Sequence, residues 1–391
     1  MRFSFPVVSL LLAGFSLRLD LFPRAADSAL CRKGGCRYDQ IFAQIDASGN
    51  DLHSVSALLV EDPSNPAVWC TYGELLSASG ETNKAADAFG HAVALGPGMA
   101  PVLMRAANFD FTHDRTEEGL RLAARILSQT ASFDEILFSY LQTSGEPISK
   151  LLDNAVPATP RVARSWLAWL RAHGSDDDVV RTWSWMRRND LPDEKSAVET
   201  ASTLWQRKAY WSAQQLWADW LGARRGDYRD PQLLANTRFQ EAPSGTPFDW
   251  SFRESPSVEL RRQDGLEVRF LGQENIDYSL LEQFTTLHPG RYRFSADVEA
   301  DNITTDEGPF FRIIDIEHPG LLSVETRPIL GSVARTRIYT TFTVPAGTRA
   351  IEIQLLRRSS LRFDNKIAGR IHIHSISLAP FPGSQETVER L

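Results

Sequence analysis

Apolar positions recur at two different periods along the chain, and the change falls near Asp230. From Asn65 to Pro97 the period is helical: Trp69, Tyr72, Gly73 and Leu76 recur on one face, then Ala85, Phe89 and Ala92 on another. Gly80 separates the two runs and Pro97 ends the second, which predicts two antiparallel helices joined by a short turn. Gly73, Ala85 and Ala92 allow close approach, and Trp69, Leu76 and Phe89 fill the remaining space. The pattern returns after 34 residues. Ala85 and Phe89 are followed by Gly119 and Ala123, Pro66 by Ala100 beside Pro101, Val179 by Ala213 and Trp183 by Trp217. Between these lie "FDEILFSYLQTSG", a further first helix, and "PISKLLDNA", a shortened partner. Trp166, Leu170, Gly174 and Met186 carry the same offsets, and Leu204 and Trp220 fall in register in the last unit.

The stretch "NPAVWCTYGELLSASGETNKAADAFGHAVALGP" closely resembles the tetratricopeptide repeat, whose unit is 34 residues. The resemblance implies an α-solenoid of tetratricopeptide-like helix pairs over residues 38–227, one clear repeat and three or four degenerate ones. The helix beginning near His53 closes the N-terminal end. Such units bury their apolar faces only by stacking. Nine of the ten Trp lie in this half, and interhelix packing explains that density before a ligand groove does. The resemblance also implies an inner surface, formed by first helices, that binds an extended segment of a protein partner. Arg105, Asn108 and Arg164 are the candidate partner-binding residues there.

Residues 228–247 are rich in turn formers and read as a linker between two separate cores. Beyond them the period becomes two. "GRYRFSADVEA" places Tyr292, Phe294, Ala296 and Val298 on one face; "RAIEIQLLRR" alternates Ile351, Ile353 and Leu355 with Glu352 and Gln354. "LEVRF", "FFRIIDIE", "RIYTTFTVP" and "GRIHIHSISL" add strands, and "HPGR" and "PAGT" mark turns. Many short strands at this spacing predict an antiparallel β-sandwich over 248–380, with a flexible tail at 381–391. The segments "FDWSF", "LEQFTTLHPGRYRFSADVEA", "YTTFTVPAGTRAIEIQLLRR" and "FDNKIAGRIHIHSISL" resemble the jelly roll of carbohydrate-binding modules and galactose-binding-like domains. A sugar site of that kind stacks a pyranose on an exposed aromatic and holds its hydroxyls with planar polar groups. The candidates are Tyr278, Phe311 and Tyr339, with Arg312, Glu325, Arg357 and Asn365 as polar partners. The single Trp of this half, Trp250, reads as core.

The formal charge of −7 and the absence of a long basic block exclude a general nucleic-acid binder. Met1-Arg2 and the apolar run Phe3–Leu17, followed by small residues, read as a signal peptide or membrane anchor within residues 1–30. Fifteen residues fall short of the roughly 20 that a helical span needs. Export to the cell envelope or periplasm follows, with membrane contact only through that segment. In that setting Cys31 and Cys36 could close a small disulfide loop, while Cys70 reads as a core residue. No cofactor is implied. His372 and His374 share a strand face without an evident third metal ligand. "DNITTDEG" offers Asp301, Asn302, Asp306 and Glu307 for a structural calcium, against the simpler reading of a solvated acidic turn. The motifs GxSxG, HExxH, GxGxxG and the P-loop are all missing. The expectation is a noncatalytic exported scaffold, its repeats docking a protein and its sandwich recognising a polysaccharide. The alternatives are a protein-only adaptor or a glycoside-active enzyme without a recognisable motif. The whole layout resembles exported bacterial tetratricopeptide proteins.

Overall fold

The computed structural model describes residues 51–225, 233–253 and 255–381. The chain divides into two compact units between Gly174 and Ser175. The Phe3–Leu17 run, Cys31, Cys36 and the tail beyond Phe381 lie outside the described residues. Among those described, no helix is long and apolar enough to cross a membrane.

The first unit holds α1 (Leu52–Glu61), α2 (Pro66–Ala78), α3 (Thr82–Leu95), α4 (Ala100–Thr112), α5 (Thr116–Gln129), α6 (Asp134–Thr143), α7 (Ile148–Asn154) and α8 (Pro160–His173). The first helices start at Pro66, Ala100 and Asp134, each 34 residues after the last, and their partners α3 and α5 start at Thr82 and Thr116. The start of α2 is fixed locally. The Asn65 side chain accepts from the Ala67 and Val68 N–H groups, and Pro66 needs no partner at the first helical position. α7 has only 7 residues, the shortened partner expected.

Gly73 explains why α2 and α3 can touch. A Cβ built there would sit 2.9 Å from the Phe89 ring. Phe89 in turn stacks on Phe109 of α4 at 4.8 Å, carrying the contact into the next pair. Gly119 repeats the device against the Phe111 ring at 3.0 Å. Cys70 belongs to this core, and burial pushes its thiol up to about 12. α1 covers the N-terminal end, with Val55 and Leu59 against Val68.

The second unit begins with α9 (Asp176–Arg188), α10 (Glu194–Gln206) and α11 (Tyr210–Leu221). α9 has three Asp in its first turn and two Arg in its last, both favourable to the helix dipole. The strands are β1 (Ser251–Phe252), β2 (Val258–Arg262), β3 (Leu266–Leu271), β4 (Tyr278–Thr285), β5 (Gly290–Ile303), β6 (Phe310–Asp315), β7 (Ser323–Glu325), β8 (Gly331–Val344), β9 (Ile351–Arg357) and β10 (Ala368–Pro380). They form two antiparallel sheets, β1-β4-β9-β6-β7 and β2-β3-β10-β5-β8. Tyr292, Phe294, Ala296 and Val298 face inward from β5, as the alternation predicts, and meet Ile351, Ile353 and Leu355 from β9 in one core.

Two expectations need correction. First, residues 233–247 are not a free linker. Leu234 and Phe239 are buried in the sandwich core, and the Ile376 N–H donates to the Thr237 carbonyl at 2.8 Å. Gly and Pro punctuation marks turns, but it does not distinguish a turn in solvent from one laid on a sheet. Second, the last helix pair is joined to the sandwich rather than held apart from it. Gln214 of α11, only 1% exposed, donates to Thr285 Oγ1 at 2.8 Å and accepts from the Thr286 N–H at 2.8 Å. Trp205 of α10 packs on Phe248 and Phe284. Tyr210 OH donates to Glu317 at 3.2 Å, and Lys208 pairs with the same carboxylate. A buried amide hydrogen-bonded to Thr285 and Thr286 would lose those partners if the two parts separated.

Phe89→Ala should lower the stability of the helical part by about 3–5 kcal/mol, because it opens a cavity shared by two helix pairs. Gly73→Leu should destabilise the same part by overpacking. Thermal unfolding followed by circular dichroism checks both; an unmoved helical transition in Phe89→Ala would show the register to be wrong.

Candidate functional site

In the first unit the first helices are tied by a ladder of polar bonds. Arg105 of α4 donates to both carboxylate oxygens of Glu74 on α2 at 2.7 and 2.6 Å, to Thr71 Oγ1 at 2.9 Å and to the Ala67 carbonyl at 3.2 Å. Tyr140 of α6 donates through its hydroxyl to Asn108 Oδ1 at 2.7 Å. Gln142 of α6 accepts from Trp169 Nε1 of α8 at 2.9 Å. Arg105 and Asn108 therefore hold consecutive repeats in register; most of the Arg105 donors are already used. Arg164 is exposed on α8 and donates to the Pro160 carbonyl at 2.9 Å.

In the sandwich, three of the predicted sugar-site residues are core residues. Tyr278 is 1% exposed, Phe311 and Arg357 are fully buried. The cause is phase. Tyr278 and Arg357 are cross-strand partners on the inward side, and Phe311 faces Leu355 in the same layer. Among the described residues, no carboxylate is hydrogen-bonded to Arg357. Its guanidinium donates to the Glu307 carbonyl at 3.0 Å, Asn275 Oδ1 at 2.9 Å, the Asn365 carbonyl at 3.1 Å and the Ile276 carbonyl. Burial lowers its pKa, opposed by Glu307, Asp277 and Asp306 nearby. It closes the sandwich by binding three turns at once. Asn365 enters this arrangement through its backbone.

Arg312 and Glu325 lie elsewhere, on the outer face of β1-β4-β9-β6-β7, where they are direct partners. The same row continues through Gln354 of β9 to Glu282 of β4. Arg312 donates to Gln354 Oε1 at 3.1 and 2.7 Å. The Gln354 amide donates to Glu352, and Arg253 donates to both oxygens of Glu282 at 2.8 and 3.0 Å. Glu282 is two residues along β4 from Phe284, the cross-strand partner of Glu352. Burial pushes the Glu352 carboxyl up to about 7; Gln354 opposes the shift and Glu282 adds to it. The row is thus a strip of planar donors and acceptors, half-buried at Glu282, Gln354 and Arg312 and exposed at Glu325, beside Phe284 and the Trp205 wall.

Gln354, Glu352 and Glu282 were missed as site residues, although the alternation of β9 already put two of them outward. What the sequence lacked was the cross-strand register that sets them beside Arg312. Tyr339 stands on the opposite sheet, 64% exposed, with Arg293 over its ring. Ile371 and Ile373 point inward and leave His372 and His374 outside, 4.3 Å apart. Asp306 accepts from Ser360 Oγ at 2.6 Å and pairs with Arg362, while Asp301 pairs with Arg370. Among the described residues no cluster of three metal-ligating side chains forms.

No family model and no curated protein matches the chain. Among solved structures it is similar to YrrB, described as a TPR protein with an unusual peptide-binding site. The identity is 15% over 42% of this chain and 90% of that one, with a TM-score of 0.24. It is also similar to a CBM4 structure at 14% identity, over 38% of this chain and 99% of that one, with a TM-score of 0.28. A third is TmCBM61 in complex with β-1,4-galactotriose, also 14% identical, over 38% and 99%, with a TM-score of 0.27. At such identities and scores the likeness says nothing of a ligand.

The Glu352 carboxyl binds its proton more tightly in the folded chain than in the unfolded one. Stability should therefore fall as pH rises from about 4.5 to about 7, where the unfolded state has already released that proton. Glu352→Gln keeps the size and polarity of the side chain without the titration. Denaturant unfolding across that window should show a weaker pH dependence in the variant; identical profiles would contradict the assignment.

Proposed function

We propose that this chain is a noncatalytic binding scaffold. Its helical repeats dock an extended segment of a protein partner, and its sandwich binds a glycan on the outer face of β1-β4-β9-β6-β7. The observation that carries the glycan reading is the row Glu282–Gln354–Arg312–Glu325. Planar amide, guanidinium and carboxyl groups side by side suit vicinal hydroxyls, each of which both donates and accepts.

A glycoside-active enzyme is the alternative reading, and hydrolysis of a bound oligosaccharide would favour it. Export is part of the proposal and rests on the Phe3–Leu17 run. A reporter fused after Gly49 should be active outside the cytoplasm; activity confined to the cytoplasm would remove that part.

The glycan reading is tested by calorimetry of the full chain against neutral oligosaccharides, β-1,4-galactotriose included. Binding without hydrolysis is expected, weakened about ten-fold by Arg312→Ala or Gln354→Ala. Binding unaffected by both substitutions, or none across the panel, would overturn it.

A further inference from the structure

The outer face of the other sheet has a different chemistry. Each of its five strands carries at least one outward arginine: Arg261, Arg269, Arg370, Arg293 and Arg337 in spatial order, with Arg291 and Arg335 as further ones on β5 and β8. None of these strands contains a lysine. Arg269 and Arg370 are direct cross-strand partners. Like charges directly opposite one another are unfavourable, so the sheet gains nothing in stability from this pairing. The flanking carboxylates hold them only loosely: Arg269 lies 3.8 Å from Glu259, and Arg370 lies 3.7 Å from Glu267 and 3.5 Å from Asp301. By contrast, Arg337 grips Asp297 through a fork at 2.7 and 3.1 Å. The guanidiniums of Arg269 and Arg370 are more than half exposed and line a recess of about 910 Å³ with Arg261, Gln263 and Asn302.

We propose that this face binds an acidic polysaccharide, with one uronate carboxylate seated between Arg269 and Arg370. A planar carboxylate accepts from both forks and relieves their repulsion. Glu267, Glu299 and Asp297 share the face and accept hydroxyl protons of neighbouring sugars. Those same acids disfavour a polymer charged at every step, as does the chain's net charge of −7. The face also has length. Tyr339 pairs with Ser295, six residues along β5 from Asp301, or about 20 Å from the arginine pair. Its exposed ring, with Arg293 above it, offers a stacking surface at the far end. A run of several sugars fits this span better than a single one.

The test is calorimetry of the full chain with polygalacturonate, its methyl ester, dextran sulfate and single-stranded DNA. Binding to polygalacturonate is expected, weakening with salt and lost on esterification. The double variant Arg269→Gln/Arg370→Gln should weaken it about ten-fold or more, and Arg269→Lys/Arg370→Lys by less. Arg312→Ala on the opposite sheet should leave it unchanged, which separates this face from the neutral-glycan strip. Equal binding of the methyl ester, tighter binding of dextran sulfate or DNA, or full affinity in both double variants would overturn the proposal.

Discussion

One buried cation organises the sandwich. Arg357 is in the inward phase of β9, where a hydrophobic residue would ordinarily stand, and its guanidinium is satisfied by carbonyls from three separate turns. An unpaired buried charge would be severely unfavourable; here the turns supply its acceptors, and the charge in return fixes the turns. The alternation that puts Arg357 inside β9 puts Glu352 and Gln354 outside it. In β4 a register shift between Ser279 and Leu281 reverses the phase after the inward Tyr278, so that Glu282 turns outward and falls beside Gln354. The strip that we assign to glycan binding thus depends on the inward Arg357 and on that irregularity together.

A second buried polar group ties helix to sheet. Gln214 spends its amide on Thr285 and Thr286, and Thr285 donates onward to the Leu233 carbonyl at 2.9 Å. The last helix pair therefore belongs energetically to the sandwich. Its Trp205 packs on Phe284 of β4, so helix and strand together give the strip an aromatic border. In the first unit, Arg105 and Asn108 perform an equivalent service between repeats. Residues of the sort that bind partners in such arrays are here partly occupied in keeping the array in register.

The fold was legible in the sequence to a large extent, because it rests on period. The 34-residue spacing located the helix starts at Pro66 and Ala100, the stretch "FDEILFSYLQTSG" marked the next first helix, and period-two alternation gave the inward residues of β5 and β9. The site was much less legible. Alternation continued for two more residues would have put Arg357 inside; its charge argued the other way, and only the turn carbonyls resolve the conflict. At Phe310-Phe311, two Phe in succession leave the phase of the strand open. The row Glu282–Gln354–Arg312–Glu325 depends on the register of four strands far apart in sequence, which no local pattern encodes. The same holds for the Arg269–Arg370 pair. The segment at 233–247 misled for a related reason, since Leu234 and Phe239 carry no period of their own.

The central claim is that ligand chemistry sits on the outer sheet faces while Arg357 and its aromatic neighbours serve the interior. A crystal structure of the full chain with a bound neutral oligosaccharide tests it most directly. The account predicts sugar hydroxyls within hydrogen-bonding distance of the Arg312 guanidinium and the Gln354 amide, with Arg357 still enclosed by its carbonyls. Sugar seated at the Arg357 end, with that guanidinium turned out to meet it, would contradict the account.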